Sequence, residues 1–237
     1  MTERLFLEDA YCRQTSARVE RADAAGIVLD RTVFYARSGG QPGDSGVLRW
    51  DGGEARITEA IKGDGEAILH VPAENAALPP PGAEVAAEID WAPRHALMKM
   101  HTAMHLMCAV LPGIAVTGGS VGGERARLDF NLPEAPDKAA IEDALNALIA
   151  GDHAVSHEWV EESVLDTNPT LVRTLSVQPP RGTGRLRLVR IGGGDVPVDL
   201  QPCGGTHVAR TGEIGRIVVQ KIENKGKQNR RIIITPG

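Results

Sequence analysis

The chain has 237 residues, 42% of them hydrophobic, enough to fill the core of one large domain or two modest ones. Aromatic residues make up only 3%, while glycine (27) and proline (15) are frequent, so packing rests on Leu, Val, Ile and Ala, and a helix bundle is disfavoured. The formal net charge of −5 counts against a generally basic nucleic-acid binder, and no segment approaches the roughly 20 apolar residues of a membrane helix.

The amino terminus, MTERLFLEDA, carries Glu3, Arg4, Glu8 and Asp9 where a secretory signal has a basic start and an apolar run. Three cysteines, Cys12, Cys108 and Cys203, are too few and too scattered for a disulfide framework. A cytoplasmic protein is expected. From residue 1 to about 90, short runs rich in β-branched residues follow one another: RLFLE, ARVERA, GIVLDRTVFYA, GVLRW, EARITEAI, AILHV and EVAAEID. Gly, Asp and Pro separate them, which predicts a small all-β barrel or sandwich. LPPPGAE, 78 to 84, reads as a stiff loop before the last strand.

At Asp90 the pattern changes. DWAPRHALMKMHTAMHLMCAVLPG has Asp90 as a cap, Pro93 in the first turn and Pro112-Gly113 as a stop. Leu97, His101, Met104, His105, Cys108 and Leu111 recur at spacings of three and four, one face of a helix. A second helix is predicted from Asp137 to Ala150, with Gly151 past its end. The strands HEWVEE, RLRLVRI, RIVVQKIE and RRIIIT follow. The expected organisation is a β-barrel domain over residues 1–90 and an α+β domain over 91–237.

HTAMH places His101 and His105 one turn apart, so both imidazoles can reach one ion. QPCGGTHVARTGEIG supplies Cys203 and His207, four apart, with glycines that let the backbone fold tightly. Thiolate and imidazole are donors that suit zinc better than calcium or magnesium. Cys108, three residues after His105, competes with Cys203 on spacing, but a buried free cysteine is commonly a small apolar residue. His153 and His157 repeat the HxxxH spacing beyond a helix stop, where ligation is not expected. Thr102 stands where a metalloprotease helix has its glutamate base, which counts against that mechanism. Downstream, KIENKGKQNRR concentrates five basic residues against one acidic, a strip able to hold a phosphate backbone despite the net charge.

HTAMH, GGSVGGERARLDF (118–130) and CGGTHVARTGEIG (203–215) resemble the editing domain of alanyl-tRNA synthetases and the freestanding alanyl-tRNA editing proteins. FYARSGGQPGDSG (34–46) resembles the FYPxxGGQPxDxG block of the barrel before that domain, with Ala36 where the family has Pro, a departure that puts the stiffness of the turn in doubt. KIENKGKQNRRIII fits the family's closing stretch. Threonyl-tRNA synthetases carry a related HxxxH and CxxxH domain, but the GGQ block points to alanine. The resemblance implies a stand-alone editor with a barrel and an α+β editing domain, and with no membrane segment, activation domain or ATP site. A monomer is favoured. The implied reaction is zinc-dependent hydrolysis of tRNA(Ala) mischarged with serine, with glycine as a second candidate.

The implied ligands of one zinc ion are His101, His105, Cys203 and His207. Four protein donors close a zinc site, so turnover requires one donor to be loose or the metal to position substrate only. Thr117, in AVTGGS, falls where the family places a hydroxyl that recognises serine; the alternative is an ordinary strand threonine. Gln41, with Gly39 and Gly40 in the GGQ loop, is a candidate for contact with the tRNA end or a buttress of the site. Peptide-release factors also use GGQ, but Pro42, Gly43 and Asp44 continue this loop as a turn. Candidates for tRNA contact are Lys221, Lys225, Lys227, Arg230 and Arg231, with Arg125 and Arg127. The rival readings are a tRNA-binding module with a structural zinc and no hydrolysis, and a metallohydrolase of some small ester.

Overall fold

Alternation of apolar and charged residues dominates the first part of the chain, and strands are what it produces. The computed structural model describes residues 1–175, 182 and 184–237. It divides into two compact units, Met1–His95 and Ala96–Gly237. The first holds β1 (Glu3–Arg4), β2 (Gln14–Asp23), β3 (Gly26–Leu29), β4 (Arg31–Thr32), β5 (Gly46–Trp50), β6 (Gly53–Lys62), β7 (Ile68–Pro72) and β8 (Glu84–Ile89). β2, β3, β7, β6, β5 and β8 close into a barrel in that order, which leaves no strand edge open.

β6 shows why these residues close a barrel. Ala55, Ile57 and Ala60 are buried while Glu54, Arg56 and Thr58 are exposed. The step from Ile57 to Ala60 breaks the period of two, and a register shift between Ile57 and Glu59 restores the inward set. One sequence expectation changes here. Of RLFLE only Arg4 belongs to a strand (Glu3–Arg4), and Leu5–Leu7 form a 3-10 turn. A strand would send Phe6 and its two leucine neighbours to opposite faces. The turn instead packs Leu5, Phe6 and Leu7 together on the barrel core.

The unit ends in the first turn of α1 (Trp91–Val110), where Arg94 is fully buried. Its guanidinium holds the Asp44 carboxylate (Nε to Oδ1 3.0 Å) and donates to the carbonyls of Val33 and Ala10. The pair fixes the loop that carries the GGQ turn. In that turn Ser38 and Gln41 exchange backbone hydrogen bonds of 3.1 and 2.9 Å across Gly39 and Gly40. Both glycines have positive φ, 56° and 83°, which only glycine adopts without strain.

The second unit holds the rest of α1, β9 (Val116–Ser120), β10 (Ala126–Asn131), α2 (Lys138–Ala150), β11 (Val155–Glu161), α3 (Val164–Thr167), β12 (Arg185–Ile191), β13 (Asp199–Pro202), β14 (Ile217–Asn224) and β15 (Asn229–Pro236). β14, β15, β10 and β9 form one antiparallel sheet, and β11, β12 and β13 another. The fold class is therefore α+β, with a small barrel first. α2 starts at Asp137, whose carboxylate accepts from the Ala140 amide at 2.8 Å. Its Asn146 and Glu142 cover the open edge of β14: Asn146 bonds both the N–H and the C=O of Ile217, and Glu142 accepts from Val219. α1 is buried without a break from Met100 to Cys108, all the way round rather than on one face. Among the described residues, no helix is long and apolar enough to cross a membrane.

Candidate metal centre

His101 and His105 are one turn apart on α1, and Cys203 and His207 lie in the glycine-rich segment that follows β13. The four donor atoms lie within 4.8 Å of one another. Cys203 Sγ is 3.3 Å from His207 Nε2 and 3.6 Å from His101 Nε2. Zinc–donor bonds of about 2.0 to 2.3 Å at tetrahedral angles give donor–donor edges of about 3.3 to 3.8 Å. Those two edges fall in that range, and the four donors together form a group that could hold a metal ion. The three imidazoles are buried, at 8%, 5% and 6% exposure for His101, His105 and His207.

The ring nitrogens turned away from the centre are held. His105 Nδ1 donates to Asp199 Oδ2 at 3.0 Å, and Gln201 Nε2 donates to the same oxygen at 2.8 Å. His207 Nδ1 lies 3.1 Å from the Thr102 hydroxyl, which itself donates to the Met98 carbonyl at 2.9 Å. With its proton committed to that carbonyl, the hydroxyl accepts from His207. Both rings therefore present Nε2 to the centre, the arrangement that fixes tautomer and aim in metal-binding histidines. Burial disfavours a charged Cys203, yet the flanking His101 and His207 hold its thiol well below the usual range. Burial, with the neighbouring His101 next, lowers His207 well below the usual histidine range. Burial opposes a charged His105, but its hydrogen bonds to Asp199 and Cys203 raise it to about 10, so a metal bound there has to displace the proton on Nε2.

Cys108 lies outside this group. Burial and the neighbouring Asp199 push its thiol up to about 12, so it behaves as an inert core residue. His153 and His157 are likewise outside it: among the described residues, the four above are the single cluster of at least three such donors. Asp199 and Gln201 carry no motif in the sequence, and Thr102 stands out there only for replacing a glutamate base, not for its contact with His207. Asp199, Gln201 and Cys203 alternate along one strand and its end, a period-two signal that places them on one side.

The other predicted residues separate. Thr117 is on β9, with its hydroxyl 3.1 Å from both the Asp129 carbonyl and Asn229 Oδ1. Gln41 is fully buried in the first unit. Ala36 is in the barrel core. Arg127 and Arg231 both hold the Asp129 carboxylate, and Lys221 and Lys225 both hold Glu223. Cross-strand pairing puts Arg127, Asp129, Arg231, Glu223 and Lys221 on one face of the sheet. Arg125 and Lys227 are exposed in the turns before β10 and before β15. Arg230 is buried, and its guanidinium closes the hairpin onto Asn224, Gly226 and Pro133.

Comparison with known proteins gives matches along the whole chain. A family described as the threonyl and alanyl tRNA synthetase second additional domain matches residues 186–233, which include Cys203 and His207. A family described as class II (A) tRNA synthetases matches residues 7–93, the barrel region. The alanine–tRNA ligase of Pyrobaculum aerophilum is 37% identical over the full chain, which covers 27% of that ligase. The chain thus spans about a quarter of the length of such ligases. Two proteins named alanyl-tRNA editing protein AlaX-M match end to end. That of Methanosarcina acetivorans is 38% identical, with 99% of each chain covered. That of Saccharolobus solfataricus is 34% identical, also with 99% of each covered.

Proposed function

The chain belongs to the family of AlaX-M alanyl-tRNA editing proteins, and we propose that it hydrolyses, in trans, the ester bond of tRNA(Ala) mischarged with serine, with Gly-tRNA(Ala) as a second candidate substrate. The observation that carries this reading is the convergence of His101, His105, Cys203 and His207 within 4.8 Å. We take these as the ligands of one zinc ion in an editing domain over residues 91–237, with the barrel over 1–90. Zinc in such a site supplies Lewis-acid polarisation of the ester carbonyl or a more acidic bound water.

The chain's own residues do the rest. Asp199 and Thr102 aim the His105 and His207 rings, and Cys203 enters as thiolate. An apolar pocket rejects an added hydroxyl weakly, by roughly 100-fold, whereas a site built to bond that hydroxyl discriminates far more strongly. Thr117 offers such a bond to serine and leaves alanine without one. Gln41 stays a candidate for contact with the tRNA end or a buttress of the site. Arg125, Arg127, Lys221, Lys225, Lys227 and Arg231 are the candidates for phosphate contact, while Arg230 holds the β14–β15 hairpin that carries the last four of them.

A second reading has one observation in its favour. Four protein donors make a closed set, the pattern of structural zinc, so the protein could bind tRNA without hydrolysis. Deacylation of Ser-tRNA(Ala) beside Ala-tRNA(Ala) and Ser-tRNA(Ser) separates the two. Rapid loss of serine from tRNA(Ala), with both controls left charged, is expected. A folded but inactive His105→Ala variant identifies a catalytic metal. No hydrolysis by zinc-replete, folded protein moves the assignment to the binding module.

A further inference from the structure

Thr117 is held by a partner that the reading above leaves unused. Val116 opposes Phe130 and Gly118 opposes Asp129, so one step along β10 matches two along β9, and Thr117 is the extra residue of a bulge. Bulges re-aim side chains and recur beside functional sites. Two positions on, Gly119 lies against α1 in the turn that joins His101 to His105: a Cβ there would come 3.3 Å from Met104 Cε. Thr117 therefore sits on the strand that covers the metal-binding turn.

Its hydroxyl has two neighbours at 3.1 Å, the Asp129 carbonyl and the Asn229 amide. One hydroxyl carries one proton and cannot donate to both. A carbonyl can only accept, so Asp129 takes the proton. The Asn229 side chain then satisfies its contact by turning its NH2 group to Thr117, since amide oxygen and nitrogen are assigned from the network around them. A hydroxyl held this way has its donor committed and one lone pair filled. What remains is a single acceptor. A serine hydroxyl can donate into it, and the methyl of alanine or the hydrogen of glycine cannot.

We propose that Asn229 is a positioning residue that fixes Thr117 as a hydrogen-bond acceptor and so sets the preference for a hydroxyl-bearing aminoacyl group over alanine. This rests on the editing function proposed above. The backbone of Asn229 carries the pairing with Asn131 and accepts from the Lys225 amide at 2.9 Å, so truncating its side chain leaves the hairpin in place.

The test measures kcat/KM of the full chain on Ser-, Gly- and Ala-tRNA(Ala) for the native protein, Asn229→Ala, Thr117→Val and the double variant. Asn229→Ala is expected to lower the rate on Ser-tRNA(Ala) about tenfold, the worth of one hydrogen bond, and to leave Gly-tRNA(Ala) within about twofold. In the Thr117→Val background it is expected to do nothing more. Equal losses on the serine and glycine substrates, an unchanged serine rate, or additive losses in the double variant would each overturn the proposal. Asn229→Ser, too short to reach Thr117, replaces the alanine variant if melting shows that one misfolded. A native protein that hydrolyses none of the three removes the editing function and this proposal together. Persistent hydrolysis with a silent Asn229 removes this proposal alone.

Discussion

His105 and His70 are both buried histidines, and their partners send them opposite ways. His105 meets a carboxylate, and Asp199 turns its Nε2 to the metal-binding group. Removing such an outer partner typically costs about 10- to 100-fold in metal affinity. Asp199→Ala is therefore expected to weaken zinc binding by that factor in a chelator competition, with little change in melting of the barrel. An unchanged affinity would make the contact incidental. His70 is fully buried in the barrel, with Nδ1 on the Ile27 carbonyl at 2.9 Å and Nε2 2.7 Å from the Thr32 hydroxyl. Burial lowers it to about 4, against an ordinary 6.5. The folded state thus binds fewer protons than the unfolded one between those values. Stability from a neutral His70 is complete above pH 6.5 and is lost as pH falls to about 4, by about 3 kcal/mol on the scale of 1.36 kcal/mol per unit. Urea unfolding at pH 7 and pH 4.5 should show it, and His70→Gln should flatten the difference. Equal slopes in both proteins would mean other groups carry it.

Among elements, the strands of the barrel and the two long helices were legible because burial there follows period two or the helix repeat. α1 was only half legible. Its spacing marked one apolar face, yet the run from His101 to Leu111 has no charged residue at all, and that absence is the mark of a helix buried on every side. RLFLE misled because three consecutive apolar residues satisfy a strand pattern as well as a turn. β13 was missed for its brevity, and with it Asp199 and Gln201. The clasp of α2 on β14 could not be read at all, since Glu142 and Asn146 look like an ordinary solvated helix face. The geometry gives them a task, and Asn146→Ala leaves the Ile217 N–H and C=O without their side-chain partner. The cost should be about 1 to 3 kcal/mol in denaturant unfolding, with α2 itself intact by circular dichroism. A change below about 0.5 kcal/mol would show that water replaces the amide without loss.

Over the whole molecule, the proposed function asks an acidic protein to meet a polyanion, and the distribution of charge would have to make that possible. The net charge of −5 is unfavourable at long range. The closing strip, legible in sequence as basic, becomes more specific in three dimensions. Arg127 arrives from β10, far from the strip in sequence, because β10 pairs with β15. Four cations, Arg127, Lys221, Lys225 and Arg231, share only two carboxylates, Asp129 and Glu223. Arg230 could not be told from its neighbours by sequence, since alternation alone does not reveal that the hairpin consumes its charge. If the sheet face holds the tRNA backbone, binding must follow counterion release. Three phosphate contacts correspond to a log–log salt slope of about −2 to −3. Filter binding of tRNA(Ala) across salt concentrations should give a slope in that range. Lys221→Ala should make it shallower by nearly one unit, and Arg127→Ala should do the same. Arg230→Lys should leave the slope unchanged and lower the melting temperature, because its role is to close the hairpin. A flat response to salt in the native protein would take the sheet face out of tRNA binding and leave recognition to other surfaces of the chain.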